Sequence, residues 1–140
     1  MTPFKILVMG LPGAGKTWLS ERLYKHLDCA WYNADNIREM ANDWDFTLEG
    51  RLRQAARMKN LADFEKENGR AVICDFVCPT AKTREEFNAD IVIWMNTIRN
   101  GKYEDTNYLF EIPKLVDYQV IRFKSDEEIE QLANEIKRAI

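Results

Sequence analysis

The sequence predicts a three-layer α/β fold built on a parallel five-stranded sheet. Three observations predict it. Short, continuously apolar runs recur along the chain, as expected of strands buried on both faces of a sheet. Segments of helical periodicity separate them, so the strands run parallel and are joined by crossover helices. A glycine-rich stretch lies between the first such strand and the first such helix, at the edge of the sheet where α/β folds bind ligands.

Phe4 to Met9 is the first apolar run and reads as a buried strand. A helix follows the glycine-rich loop from about Lys16 to Leu27, with Leu19, Leu23 and Leu27 at helical spacing. Cys29 to Tyr32 is a second strand and Asp35 to Ala41 a short helix. Thr47 caps a longer helix whose apolar side is read as Leu52, Ala55, Ala56, Ala62 and Phe64. Asn68-Gly69 ends it, because glycine readily takes the left-handed cap conformation. Ala71 to Phe76 is a third strand, interrupted only by Asp75 near its end, and Ile91 to Met95 a fourth. Tyr118 to Phe123 is the last. Ser125 and Glu128 form a capping box for a final helix that turns Ile129, Leu132, Ala133 and Ile136 to the core.

The 140 residues suit one domain spanning 1–140, and no repeat, low-complexity tract or linker divides them. Apolar residues make up 46% and charged residues 31%, a folded rather than a disordered composition. The net charge of −3 argues against general nucleic-acid binding, which needs a basic surface. No apolar run approaches the ~20 residues of a membrane span. The chain enters a strand at once, which is not a signal peptide. Cys29, Cys74 and Cys78 are odd in number and two lie in or beside strands, so they read as reduced thiols of a cytoplasmic protein. His26 is the single histidine and reads as a partly exposed helix residue.

The glycine-rich stretch is Gly10-Leu11-Pro12-Gly13-Ala14-Gly15-Lys16-Thr17, a complete Gly-x-x-x-x-Gly-Lys-Thr phosphate-binding loop in its strand-to-helix context. Glycines let the backbone N–H groups turn inward on a β-phosphate, and the helix dipole favours the same anion. Lys16 reaches the β- and γ-phosphates, and the Thr17 hydroxyl ligates magnesium. Trp18, Trp31, Trp44 and Trp94 read as packing residues, and Trp18, directly after Thr17, is also placed to border the nucleotide. The expected ligands are therefore ATP and Mg2+. The guanine-reading Asn-Lys-x-Asp motif of GTPases is absent. A small kinase is the better reading.

After the second strand, Asn33-Ala34-Asp35-Asn36-Ile37-Arg38 places Asp35 and Arg38 three residues apart on one helix face. Asp35 is suited to take a proton from an acceptor hydroxyl or to position magnesium, and Arg38 to hold an anion on the acceptor. An ordinary helix start with a surface arginine accounts for the pair equally well. Asp75, at the end of Val72-Ile73-Cys74-Asp75, is a second candidate magnesium carboxylate; a strand-end cap is the alternative.

The phosphate loop, Asp35-Asn36-Ile37-Arg38, Asp45-Phe46-Thr47-Leu48-Glu49-Gly50-Arg51, Phe76-Val77-Cys78-Pro79 with Arg84, and Phe110-Glu111-Ile112-Pro113 together resemble adenylylsulfate kinase. The resemblance runs from about Ile6 to Pro113. It implies a P-loop kinase that transfers the γ-phosphoryl group of ATP to the 3′-hydroxyl of adenylylsulfate, and a role in sulfate assimilation. It also implies roles for residues. Asp35 lies near the acceptor hydroxyl and magnesium. Arg38 and Arg51 bind the phosphosulfate. Phe46 stacks on the acceptor adenine, with Tyr103, after Lys102, as the second aromatic of the sandwich. Gln54 stands where an asparagine helps to hold the acceptor. Phe76, Val77 and Cys78 line the acceptor pocket. A homodimer is compatible with this reading.

There are departures from the family pattern. Asn33-Ala34-Asp35 replaces Asp-Gly-Asp, so one carboxylate is missing, and Asp75 is the candidate to compensate. The lid between Met95 and Phe110 is short, with Arg99 and Lys102 as its only basic residues. Kinase lids exclude water and bring positive charge to the transferring group, and Arg99 is the candidate for that charge. The residues that hold the ATP adenine are expected after Pro113 or at Arg84. Two rival readings stand beside adenylylsulfate kinase. One is a P-loop kinase for another small acceptor: a nucleoside, nucleotide, sugar or modified base. The other is a nucleotide-binding protein without turnover.

Overall fold

The structure, a computed structural model, describes residues 2–140. Its elements in chain order are β1 (Lys5–Met9), α1 (Lys16–Leu27), β2 (Ala30–Asn33), α2 (Ala34–Ala41), α3 (Leu48–Glu67), β3 (Val72–Asp75), α4 (Ala81–Phe87), β4 (Ile91–Met95), α5 (Glu104–Leu109), β5 (Tyr118–Val120) and α6 (Asp126–Ala139). The strands form one sheet in the order β2-β3-β1-β4-β5, all parallel. The expected three-layer α/β fold with a five-stranded parallel sheet is the one observed.

β1 is buried along its whole length, and alternation sends its side chains to two different cores. Ile6 and Val8 join Leu19, Leu23 and Leu27 of α1 with Ile129, Leu132 and Ile136 of α6 on one face. Leu7 and Met9 join Met58 and Ala62 of α3 with Phe87 on the other. The chain passes from β1 out to β2, back to β3, and then across to β4. The connection from the carboxyl end of β1 therefore runs one way and that from its neighbour β3 the other, which opens a crevice between their ends. The loop after β1 lies in that crevice.

Several elements differ from expectation. α3 buries Gly50, Gln54, Met58, Ala62 and Glu65, whereas Leu52 is 42% and Phe64 59% exposed and Ala56 faces solvent. The buried line follows a spacing of about four and includes two polar residues. Gln54 donates to the Ala34 carbonyl, and Glu65 takes bonds from Tyr32 and Arg70. A count of apolar residues cannot see polar side chains that are buried because they are satisfied. β5 stops at Val120 rather than Phe123, because β4 offers partners only from Ile93 to Met95. α4, capped by Thr80, and α5 within the lid were not expected as helices. His26 is exposed, as expected. Among the described residues no helix is long and apolar enough to cross a membrane.

Candidate functional site

Four helices begin with a side-chain cap: Asn33 for α2, Thr47 for α3, Thr80 for α4 and Ser125 for α6. By contrast, α1 begins at Gly15 with no side-chain cap. Its first N–H groups, at the positive end of the helix, are left for an anion. Gly15 holds φ 100°, and a Cβ there would stand 2.6 Å from the Phe123 ring, so the position excludes a side chain on two grounds. Phe123 in turn meets Trp18 edge-on at 4.9 Å, and the Arg22 guanidinium lies 4.5 Å from the Trp18 ring. The residue expected to border the nucleotide thus sits in an aromatic wall beside the loop.

Lys16 donates to the Leu11 carbonyl at 3.0 Å. Burial lowers its pKa to about 8, against the opposing attraction of Asp75 and Asp35. The ammonium is short of compensating charge here, a deficit that phosphate would fill.

The ends of β2 and β3 meet beside Thr17, where the register places Asn33 opposite Asp75. Asn33 Nδ2 donates to Thr17 Oγ1 and to Asp75 Oδ1, each at 2.9 Å. Its Oδ1 accepts from Asn36 N at 3.0 Å and starts α2. Trp31 Nε1 donates to Asp75 Oδ2 at 2.6 Å. Trp31 was expected only to pack; it also holds a carboxylate. Burial raises the Asp75 pKa, while Trp31, Lys16 and Asn33 favour its charged form. The enclosed Ser20 hydroxyl also favours that charge without meeting hydrogen-bond geometry. Asp35 is exposed in the first turn of α2.

The donor set here is all oxygen: the Thr17 hydroxyl and the Asp75 and Asp35 carboxylates. Among the described residues no group of three or more His, Cys, Asp or Glu could cage a metal. The oxygen donors fit magnesium, which takes one or two carboxylates and draws its other ligands from phosphates and water.

The side expected to take the acceptor is built differently. Phe46 is 50% exposed, which excludes a core role, and lies 6.5 Å from Trp44, itself half exposed. The guanidinium of Arg38 lies 4.4 Å and that of Arg51 5.6 Å from the Phe46 ring. Arg38 is buried and donates to the carbonyls of Asp43 and Asp45, and this burial lowers its pKa. Asp43 is gripped by Arg53 and Arg57, which hold its carboxyl well below the usual range. Arg51 donates to the Phe46 carbonyl at 2.8 Å, to Asp105 at 2.9 Å and to Thr106 at 3.2 Å. It thereby joins the Phe46 loop to the first turn of α5, which Tyr103 precedes. Tyr103 is half exposed, with Lys102 Nζ 5.2 Å from its ring.

Other expected residues sit deeper. Gln54 is buried with both ends engaged, donating to Ala34 and accepting from Arg57. Phe76 is buried against Phe87 at 5.5 Å. Cys78 is buried at φ 46°, its thiol pushed up to about 11 by burial, while Val77 is partly exposed. Arg84 donates to the carbonyls of Cys78, Pro79 and Glu111, and so staples the end of the lid to the loop after β3.

The lid leans on the phosphate loop. Thr97 Oγ1 donates to the Ala14 carbonyl at 2.7 Å, and Ile98 lies close to Gly13. Gly101 approaches Pro12 so closely that a Cβ would stand 3.0 Å from its carbonyl oxygen. Arg99 is exposed between these contacts and makes no hydrogen bond or ion pair among the described residues. Thr97 and Ile98 carry no motif; only their contacts reveal them.

Comparison with known proteins follows the same lines. A sequence profile of the family described as adenylylsulphate kinase matches residues 2–97. A probable adenylyl-sulfate kinase of Aeropyrum pernix is 34% identical over 88 residues, 56% of this chain and 46% of the relative. A cytidine diphosphoramidate kinase of Campylobacter jejuni is 30% identical over 76 residues, 51% of this chain and 45% of the relative. The chain matches about half the length of these curated relatives. The structure of the Mycobacterium tuberculosis APS kinase in complex with AMPPNP and APS superposes with a TM-score of 0.73 at 17% identity, covering 98% of this chain and 96% of that one. At that identity the likeness concerns the P-loop kinase fold alone.

Proposed function

Since this chain belongs to the adenylylsulphate kinase family, we propose that it transfers the γ-phosphoryl group of Mg·ATP to the 3′-hydroxyl of adenylylsulfate. One observation carries the reading: Asp35 lies within electrostatic reach both of Lys16, at the uncapped start of α1, and of Arg38, whose guanidinium packs with that of Arg51 around the half-exposed Phe46 ring. The first half of that site suits a triphosphate, and the second a flat base with an anionic tail.

The loop N–H groups from Gly10 to Gly15 cradle the β-phosphate, and Lys16 leaves the Leu11 carbonyl for the β- and γ-oxygens. Magnesium, when bound, neutralises phosphate charge and aligns the oxygens of the displacement. Thr17 and Asp75 would hold it. Asp35, exposed and free to reach, orients the acceptor hydroxyl and takes its proton. Arg99 supplies positive charge to the transferring group from the lid. Phe46 and Tyr103 hold the acceptor base, and Arg38 and Arg51 its anionic tail. Lys102, Phe76, Val77 and Cys78 line the pocket, and Gln54 shapes it by tying α3 to α2.

The Campylobacter relative favours a second reading, in which the acceptor is a cytidine diphosphoramidate. Both readings need a stacked base and an anionic tail. An acceptor panel with γ-labelled ATP decides between them: adenylylsulfate, cytidine diphosphoramidate, and a sugar acid. Transfer to adenylylsulfate with the highest kcat/KM is the expected result. Preference for the cytidine compound installs the second reading. Transfer to the sugar acid alone removes both, and tight Mg·ATP binding without any transfer reduces the protein to a nucleotide binder.

A further inference from the structure

The roles assigned so far leave the short Trp31–Asp75 bond unused. Asp75 is 2% exposed at the end of β3, and each of its carboxylate oxygens accepts a bond from β2. Trp31 and Asn33 are two residues apart on that strand, so their side chains leave on the same face. Trp31 takes Oδ2 at 2.6 Å and Asn33 takes Oδ1 at 2.9 Å. A carboxylate is otherwise nearly free to turn about its terminal torsion. Donors on both oxygens fix its plane and leave one lone pair on each oxygen unclaimed. The indole is itself immobilised, since its ring packs against Tyr24 of α1 with centroids 5.3 Å apart. Asn33 carries the arrangement on to Thr17.

We propose that Trp31 is a positioning residue: its indole N–H fixes the plane of the Asp75 carboxylate so that a free lone pair faces the magnesium that accompanies the nucleotide at Thr17. The proposal rests on the reading of Asp75 as a magnesium carboxylate. If Trp31 only packs, Asp75 merely satisfies its N–H, and the bond has no bearing on metal.

Trp31→Phe keeps the ring against Tyr24 and removes the donor. The readout is the ratio of ADP dissociation constants in EDTA and in Mg2+, measured by calorimetry. Loss of an outer partner of a metal ligand typically costs about 10- to 100-fold in metal affinity. Trp31→Phe should therefore lower that ratio by about 10-fold and leave the constant in EDTA unchanged. In an Asp75→Asn background it should do nothing further, because it acts through that carboxylate. An unchanged ratio in Trp31→Phe, with the ratio lost in Asp75→Asn, overturns the positioning role alone. An unchanged ratio in Asp75→Asn removes the metal role of Asp75, and the proposal with it. The native protein offers a test that does not depend on the variant Trp31→Phe folding. Of the four tryptophan indole N–H resonances, the one displaced in Asp75→Asn should shift when Mg2+ is added to the ADP complex, but not when ADP is added in EDTA. A resonance that stays in place on addition of Mg2+ overturns the proposal.

Discussion

The proposed donor side and the proposed acceptor side are built by opposite means. On the donor side, Lys16, Thr17, Asn33 and Asp75 sit on the ends of adjacent strands or at the start of the helix that follows, and Asn33 ties Thr17 to Asp75. On the acceptor side, Phe46 and Tyr103 stand half exposed on loops, and arginines from α2 and α3 hold their surroundings. A sheet edge positions chemistry that every P-loop kinase shares. Loops can change acceptor without disturbing that edge. The arginines show how such loops are kept in shape: Arg38 binds two carbonyls of the loop that follows it, and Arg51 spans to the lid. An anionic acceptor would therefore meet cations already held in place, with little ordering left to do on binding.

The sharpest break of this division is at Lys16. Lys16→Ala should lower kcat/KM by roughly 100-fold or more, the scale of about 3 kcal/mol lost with one preorganised charge-stabilising donor. A melting curve should show the fold intact, since the side chain that is lost was buried at a cost in solvation. Normal turnover in a folded Lys16→Ala protein would contradict the donor assignment.

Phe46→Ala tests the other side. Base stacking on an aromatic is worth ~1–3 kcal/mol, so the acceptor KM should rise by roughly 5- to 150-fold while nucleotide affinity holds. Phe46→Tyr, which keeps the face, should be mild. Equal damage to both substrates would mean that the two sides are not separable.

Gly50→Ala reaches the same loop from beneath. An added Cβ would overlap the Asp45 carbonyl oxygen, so the Asp45–Phe46 backbone must move. Overpacking of this kind costs about 1–3 kcal/mol. A lowered Tm with a raised acceptor KM and an unchanged ADP dissociation constant is the expected pattern. Native acceptor kinetics in the Gly50→Ala variant would show that the loop tolerates displacement.

The smallest effect is a proton. Lys16 titrates near 8 in the free protein and near 10.5 once unfolded, so between these values the unfolded chain holds a proton that the folded one has lost. Stability therefore rises with pH across that window, and phosphate, which restores the ammonium, should bring a proton with it. Calorimetry of ADP binding at a pH of about 9, in buffers of different ionisation enthalpy, should record uptake of less than one proton. Lys16→Met should abolish it, and equal uptake in that variant would assign the proton elsewhere.

Much of the donor side is legible in the residues themselves, because a strand, a glycine-rich turn and a helix follow one another without interruption. Apolar runs likewise mark the three central strands β1, β3 and β4. Legibility fails where the deciding partner is distant. Leu52 and Phe64 look like core residues of α3 until Gln54 and Glu65 find their partners on other elements. Trp31 looks like packing until β3 brings Asp75 alongside, 44 residues later in the chain.

By itself, then, the sequence determined the sheet, its crossovers and the phosphate loop, since strand, turn and cap preferences act over a few neighbouring residues. Only the tertiary structure decided which carboxylate stands beside Thr17, which face of α3 is buried, and how Arg51 and Arg84 fasten the lid. The physical reason is that a buried charge or polar group is tolerable only with a partner in place, and those partners come from parts of the chain that meet only once the sheet has formed.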